Sequence, residues 1–204
     1  MSNTIVEVEN GPLILETDTP VLIQDGKVVI TGATVYLCRC GASAKKPFCD
    51  GEHQKQGFTT KREIKRELLQ KYEGKEITIY FNRSICAGAG ACVKGLPSVF
   101  STGNSTNWIK PNANSIDNII KTINSCPSGA LSYGINGKIY TDTKEVPKVT
   151  IVKNGPYNVE GIICSHKSKP TNCSETKYTL CRCGHSKNKP YCDYSHAEKN
   201  WKDS

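Results

Sequence analysis

The chain has 204 residues, eleven cysteines and a formal net charge of +8 at pH 7. This length allows two or three small domains, whose limited cores usually need disulfides or metals for stability. The first 22 residues lack the regions of an export signal, and nothing approaches the roughly eighteen apolar residues of a membrane span. We therefore expect a cytoplasmic protein with reduced thiols and no membrane partner, rather than a secreted disulfide framework. The lysines are scattered without an aromatic platform or a recognition helix, so no nucleic-acid partner is expected.

The first predicted domain covers residues 1–62. Short β-prone runs at 28–30 and 35–37, separated by Gly, Pro and Asp turn signals, predict small strands and hairpins. A compact set of potential metal ligands follows, namely Cys38, Cys40, Cys49 and His53. Three sulfurs and one imidazole at such short range indicate a metal site, and from the spacing alone tetrahedral zinc remains as suitable as iron.

A helical linker is predicted over residues 63–75. The segment is charged, and Ile64, Leu68, Leu69 and Tyr72 recur at helical spacing before Gly74. We therefore expect a connecting helix between two domains.

The middle domain is predicted over residues 76–145. Residues 77–81 read as a strand. Ser115 precedes isoleucines at 116, 119, 120 and 123, which predicts a capped amphipathic helix. Cys126 continues this apolar stripe, and Pro127 stops the helix.

The last predicted domain, residues 146–204, repeats the first. Its ligands, at the same intervals, are Cys181, Cys183, Cys192 and His196. The similarity extends upstream, because residues 153–157 resemble residues 9–13. An internal repeat of this kind indicates one structural unit used twice.

The first copy resembles the CDGSH iron-sulfur domain (mitoNEET-like), on its cysteines and histidine together with Asp50, Gly51 and the glycine and phenylalanine at 57–58, and the second copy matches it by position although Tyr194 replaces the glycine after Asp193. The resemblance implies one 2Fe-2S cluster per copy, with the first two cysteines on one iron and the third cysteine and the histidine on the other. Asp50 and Asp193 are candidate helix caps that would hold the histidines, and Ser43 and Ser186 are candidate donors to bridging sulfides. Family members pair two such units, so we expect an intramolecular pair and a monomer.

The middle domain resembles divergent single-cluster ferredoxins. Cys86, Cys92 and Cys126 match that pattern, whereas Ala89 stands where bacterial ferredoxins have the central cysteine. The resemblance implies a 3Fe-4S cluster, or a 4Fe-4S cluster with one labile iron, held by the three cysteines. Unligated core thiols are the alternative.

The expected fold is α+β: small β-rich CDGSH units plus a ferredoxin-like domain. The expected function is electron transfer without catalysis, since no nucleophile or acid-base pair is evident. A cluster storage or transfer protein and a zinc-bound structural module are the alternatives. Basic residues beside the ligands, Lys45, Lys46, Arg182, Lys187 and Lys189, are candidate contacts for an acidic redox partner or an apo-protein acceptor.

Overall fold

The computed structural model describes residues 3–18, 22–30, 34–101, 107–143, 145–166 and 169–203. In these residues the fold is mixed α+β, with short strands in small sheets and few helices, as the sequence predicted. No helix in the described ranges has the length and apolar character needed to cross a lipid bilayer.

The N-terminal CDGSH-like unit consists of short strands and one helical turn. Its elements are β1 (Thr4–Glu7), β2 (Leu13–Glu16), β3 (Leu22–Gln24), β4 (Lys27–Ile30), β5 (Thr34–Leu37) and α1 (Glu52–Lys55). Strands β4 and β5 confirm the two predicted β-prone runs. Strand β2 pairs antiparallel with β1 on one side and with β5 on the other. Strand β5 ends directly before Cys38.

The middle domain is a four-stranded sheet with helices packed on it. Its elements are β6 (Leu69–Glu73), β7 (Thr78–Asn82), a 3-10 helix (Arg83–Ile85), α2 (Ala91–Gly95), α3 (Ile116–Asn124), β8 (Leu131–Ile135) and β9 (Lys138–Tyr140). The strands are neighbours in the order β6-β7-β8-β9, all antiparallel. The predicted strand and isoleucine helix are confirmed, with Ser115 at the N-cap position of α3. Its buried Ile119 and Ile123 join the core, and the helix ends before Cys126.

The predicted linker helix is wrong. Residues 69–73 form strand β6, and its partner β7 pairs with it from Leu69 opposite Asn82 to Glu73 opposite Thr78. Gly74 belongs to the hairpin between the two strands, where its amide donates to the Ile77 carbonyl. Leu68 and Leu69 remain exposed, so the helical spacing does not bury them. Backbone pairing with β7 determines the structure of this segment instead.

The C-terminal unit repeats the N-terminal one and exchanges strands with it. Its elements are β10 (Lys148–Ile151), β11 (Tyr157–Glu160), β12 (Ile163–Cys164), β13 (Lys177–Leu180) and α4 (Ser195–Glu198). Strand β12 pairs parallel with β1, and β10 pairs parallel with β3. The sheets therefore run β12-β1-β2-β5 and β13-β11-β10-β3-β4, each with strands from both units.

The strand exchange gives the two units a shared core. Residues buried at 0% exposure come from both, including Leu13 and Leu37 from the first unit and Val159 and Leu180 from the second. The expected intramolecular pairing of the repeats is therefore present in the fold.

Candidate metal centres

The first cysteine pair lies where β5 leaves its sheet. The loop folds back on the strand, because the Cys38 amide donates to the Pro47 carbonyl and the Cys49 amide donates to the Tyr36 carbonyl. The Sγ atoms of Cys38 and Cys40 are 3.6 Å apart. Donation from the Cys40 thiol, together with the Ser43 and Gly41 amides, outweighs burial and lowers the pKa of Cys38 to about 6. Groups of the loop itself therefore stabilise a thiolate at Cys38.

The remaining candidate ligands of the first loop form a second pair. His53 lies on helix α1, and its Nδ1 is 3.4 Å from the Cys49 Sγ. Histidine and cysteine thus meet across the turn that joins the loop to the helix.

The second loop repeats this arrangement. The Sγ atoms of Cys181 and Cys183 are 3.7 Å apart, and the Cys192 Sγ is 3.3 Å from Nδ1 of His196 on α4. Donation from the Cys183 thiol, opposed by burial and helped by loop amides, lowers the pKa of Cys181 to about 7. Burial also lowers the pKa of His196, which favours the neutral imidazole that binds metals.

The spacing of these pairs fits two ligands on one metal. Two metal-thiolate bonds of about 2.3 Å at a tetrahedral angle place the sulfurs about 3.8 Å apart, and a sulfur and an imidazole nitrogen about 3.6 Å apart. Each loop therefore offers two such pairs, which suits a binuclear group. Among the residues that the structure describes, no three cysteine, histidine or carboxylate side chains converge as they would on a single ion.

The aspartates after the third cysteine hold each loop closed. Asp50 accepts the amide of Glu52 at 3.1 Å and that of Ala44 at 2.8 Å, and Asp193 makes the same contacts with Ser195 and Lys187. These bonds lower the pKa of Asp50, with the Ala44 amide as the largest cause. The formal N-cap position is the next residue, yet the carboxylate does tie the histidine helix to the cysteine loop.

The two serines donate to backbone carbonyls of their own loops. The hydroxyl of Ser43 donates to the Phe48 carbonyl and that of Ser186 to the Tyr191 carbonyl, each at 2.6 Å. Because a hydroxyl has one proton, the predicted sulfide donation by these side chains is wrong in this structure. Backbone amides, such as that of His185 at 3.4 Å from the Cys183 Sγ, approach the sulfurs instead.

The two loops meet at Gly41 and Gly184. Cys40 and Cys183 form an antiparallel bridge between the loops. A Cβ on Gly41 would lie 2.4 Å from the Cys183 carbonyl oxygen, and one on Gly184 would lie 2.4 Å from that of Cys40. Only glycine fits such an approach.

Tyr157 joins the second unit to the first loop. Its buried hydroxyl shares its one proton between the carbonyls of Cys38 at 2.7 Å and Pro47 at 3.0 Å. Burial raises the pKa of Tyr157 well above its ordinary value, so it remains a donor. Sequence reasoning missed this contact, since the equivalent residue in the first copy is a leucine.

The arginine between the first two cysteines of each loop is buried. Arg39 donates to the Gly11 carbonyl at 2.6 Å and to Glu7 at 2.6 Å, and Glu7 also contacts His166 at 2.7 Å. Burial opposes ionisation of Glu7, but His166 and Arg39 outweigh it and lower the pKa of Glu7.

Arg182 has an equivalent position in the second loop. It donates to the Gly155 carbonyl at 3.0 Å and pairs with Asp203 at 2.5 Å. Arg182 is 1% exposed and Lys189 is also buried, donating to the Ser186 carbonyl. The prediction that these two residues contact a partner is therefore wrong, whereas Lys45 and Lys187 are exposed.

The middle site has its cysteines on three separate elements. Cys86 follows the 3-10 helix, Cys92 lies on α2 after Gly90, and Cys126 follows α3. The Cys126 Sγ lies 3.5 Å from the Ser128 hydroxyl. Ala89, at the position of the missing ligand, is exposed.

The three thiols are near enough to affect one another's ionisation. Burial is the largest cause of the raised pKa of Cys86, and the charge of Cys126 adds to it. Burial and then the charge of Cys126 also raise the pKa of Cys92 to about 11. Neighbouring thiolates that are partly or fully buried are costly without a cation, so this set suits a positively charged group that displaces their protons.

Two cysteines lie outside these sets. Cys164 is buried on β12, and the Cys173 thiol donates to the Pro170 carbonyl at 2.8 Å. All eleven cysteines lie in the described ranges and are free thiols.

Comparison with known proteins agrees with the arrangement of sites. A family model described as iron-binding zinc finger, CDGSH type, matches residues 10–54 and 154–197, and one described as divergent 4Fe-4S mono-cluster matches residues 72–136. Proteins named "Uncharacterized protein YjdI" from Escherichia coli K12 and O157:H7 are each 40% identical over 62 residues, 30% of this chain and 80% of theirs. No solved structure gives a significant match. The chain therefore belongs to the CDGSH iron-binding family, with a divergent 4Fe-4S mono-cluster domain between its two CDGSH units, and is an iron-sulfur protein.

Proposed function

We propose that the protein is a non-catalytic electron carrier with two 2Fe-2S clusters and one 3Fe-4S or 4Fe-4S cluster. The observation that carries the proposal is the pairwise arrangement of ligands in both CDGSH loops, with separations of 3.3–3.7 Å. The first cluster would be held by Cys38, Cys40, Cys49 and His53, and the second by Cys181, Cys183, Cys192 and His196. Bound clusters of these kinds supply one-electron chemistry.

The protein's own groups favour a stable, reversible carrier. Loop amides from Gly41 and Ser43 approach the Cys38 sulfur, which stabilises negative charge without adding a titrating group. A neutral imidazole in place of one thiolate raises the reduction potential relative to an all-cysteine site. Aspartate bonds to each loop limit the rearrangement that would release a ligand.

The middle domain would hold its cluster through Cys86, Cys92 and Cys126. The glycines beside Ala89, Gly88 and Gly90, both have positive φ angles and let the backbone turn sharply between the first two cysteines. Because Ala89 cannot bind a metal, the three-ligand set favours 3Fe-4S or a 4Fe-4S cluster with one labile iron.

A cytoplasmic monomer is part of the proposal. The strand exchange pairs the two CDGSH units within one chain, so a second chain is not needed to complete the pair. The exposed Lys45 and Lys187, one beside each CDGSH site, would attract an acidic redox partner.

Cluster transfer is the second candidate, and it is favoured at the first loop. A Cβ added to Gly51 would meet no described atom within 4 Å, and the α1 residues that follow it are partly or fully exposed. The first site is thus the more accessible of the two to an apo-protein acceptor.

The test is iron and acid-labile sulfide per chain in anaerobically purified protein, with absorption and low-temperature EPR spectra of the same sample. About seven to eight irons and about eight sulfides are expected, with reversible reduction and reoxidation. Loss of iron and sulfide to an apo-ferredoxin on a similar timescale would favour transfer. Colourless, redox-silent protein that retains zinc after anaerobic reconstitution would overturn both candidates in favour of a structural module.

A further inference from the structure

The two CDGSH loops differ at two positions that contact the middle domain. Where the first loop has Lys45 and Gly51, the second has Asn188 and Tyr194, at equal spacing from the ligands. The ligands themselves are the same in type and spacing. The contrast therefore lies in what surrounds each site.

Asn188 anchors the second loop to the element that leads into the middle site. It is 0% exposed, and its Nδ2 donates to the Ser84 carbonyl at 2.7 Å. Its Oδ1 accepts from Nε of Arg62 at 2.6 Å. Ser84 lies on the 3-10 helix that ends directly before Cys86. A buried amide whose nitrogen and oxygen are both hydrogen-bonded holds two segments in one register.

Tyr194 packs on the loop between Cys86 and Cys92. A Cβ built on Gly88 would lie 2.1 Å from Cδ2 of Tyr194, so the ring lies directly against the Gly88 backbone. The ring also meets that of His196 edge-on, with centroids 5.8 Å apart. Tyr194 thus contacts a ligand of the second CDGSH site and the loop of the middle site.

The backbone of Tyr194 is strained, which indicates that the contact matters. Its φ is +82°, a conformation that side chains rarely adopt, whereas the first loop has Gly51 there at +89°. Strain of this kind persists only where surrounding structure maintains it.

One further contact links the same sites, because the guanidinium of Arg83 donates to the Asp193 carbonyl at 3.4 Å.

We propose that the middle cluster exchanges electrons with the second CDGSH cluster rather than the first, and that Asn188 and Tyr194 position these two sites. The inference rests on the proposed function. In the transfer, one electron leaves the reduced middle cluster and enters the oxidised second CDGSH cluster, with no bond made or broken. An external one-electron reductant, such as a photoreduced flavin, supplies that electron.

The first experiment measures proximity in the holoprotein by EPR. His53→Cys and His196→Cys, each made separately, would mark one CDGSH cluster through its altered ligation. With the middle cluster paramagnetic, spin relaxation of the reduced second CDGSH cluster should be faster than that of the first. Equal relaxation, or faster relaxation of the first cluster, would overturn the proposal.

The second experiment measures intramolecular transfer after flash reduction by a flavin. The wild type should show a phase independent of protein concentration, in which the second CDGSH cluster is reduced as the middle cluster is reoxidised. Tyr194→Gly should slow this phase about tenfold, the size of effect that loss of one packed contact between coupled sites produces. Tyr194→Phe keeps the ring and should retain the rate.

Iron and sulfide contents of both variants must match those of the wild type. Glycine is tolerated at this backbone conformation, because the first loop has Gly51 at the equivalent position with a similar φ. An unchanged rate in Tyr194→Gly would overturn the role of Tyr194. Reversible reduction by the flavin without any intramolecular phase would overturn the inference and leave the carrier function standing. Failure of every cluster to accept electrons would overturn the carrier function itself.

Discussion

Replacing Gly41 with alanine tests whether close contact between the two CDGSH loops stabilises the folded protein. Gly41 has a φ of +79°, and an alanine there costs about 1–2 kcal/mol in backbone strain. Its Cβ would also lie 2.4 Å from the Cys183 carbonyl oxygen, and overpacking of that kind costs about 1–3 kcal/mol. We therefore expect Gly41→Ala to lower the free energy of unfolding by about 2–5 kcal/mol, a large part of the usual total of about 5–15 kcal/mol.

The matched control is Gly26→Ala. Gly26 has a similar φ of +76°, but a Cβ there would meet no described atom within 4 Å. This variant should lose only the strain of about 1–2 kcal/mol. The assay is anaerobic urea unfolding followed by far-ultraviolet circular dichroism and by visible absorbance of the clusters. Equal losses in the two variants would show that the loops do not meet as closely as the structure has them.

Three further predictions concern single contacts. Tyr157→Phe removes the hydroxyl shared by two buried carbonyls, and should cost about 1–3 kcal/mol in urea unfolding and speed loss of the first cluster; unchanged values would contradict that hydrogen bond. Glu7→Gln should cost about 1.5–3 kcal/mol at pH 7, because the Glu7 carboxylate with its lowered pKa stabilises the fold only while ionised. That difference should shrink as the pH falls below 4.5 through the folded pKa, so a pH-independent difference in urea unfolding would argue against the charge pair. Lys45→Glu and Lys187→Glu should each weaken binding to an acidic ferredoxin or flavodoxin probe in titration calorimetry at low salt, and an association insensitive to both charge and salt would count against an acidic partner.

The ligand spacing was readable from the sequence because it is local. Cys38, Cys40, Cys49 and His53 lie within one loop and one helical turn, so their separation along the chain predicts which side chains meet. The exact repeat of that spacing strengthens the interpretation. The amphipathic helix α3 was predictable for a similar reason, since its isoleucines recur over two turns.

Contacts made over long separations were not readable in this way. The parallel pairs of β1 with β12 and β3 with β10 join residues more than a hundred positions apart, and a repeat shows that two units are alike without showing how they pair. The error at β6 has a related cause. Gly74 was interpreted as the end of a helix, but glycine also opens hairpins, and only pairing with β7 distinguishes the two.

Joining two CDGSH units in one chain also removes a constraint that two identical chains would impose. In a symmetric pair, any substitution appears beside both sites. Here the second loop has Asn188 and Tyr194 where the first has Lys45 and Gly51, so one site is packed against the middle domain and the other remains open. Since the ligands are of the same types and spacing, differences in redox behaviour between the two sites should come from these neighbours. Exchanging Gly51 and Tyr194 between the loops should therefore weaken electron exchange between the middle cluster and the second CDGSH cluster. It should create little exchange with the first cluster, because a Cβ at Gly51 would meet no described atom within 4 Å.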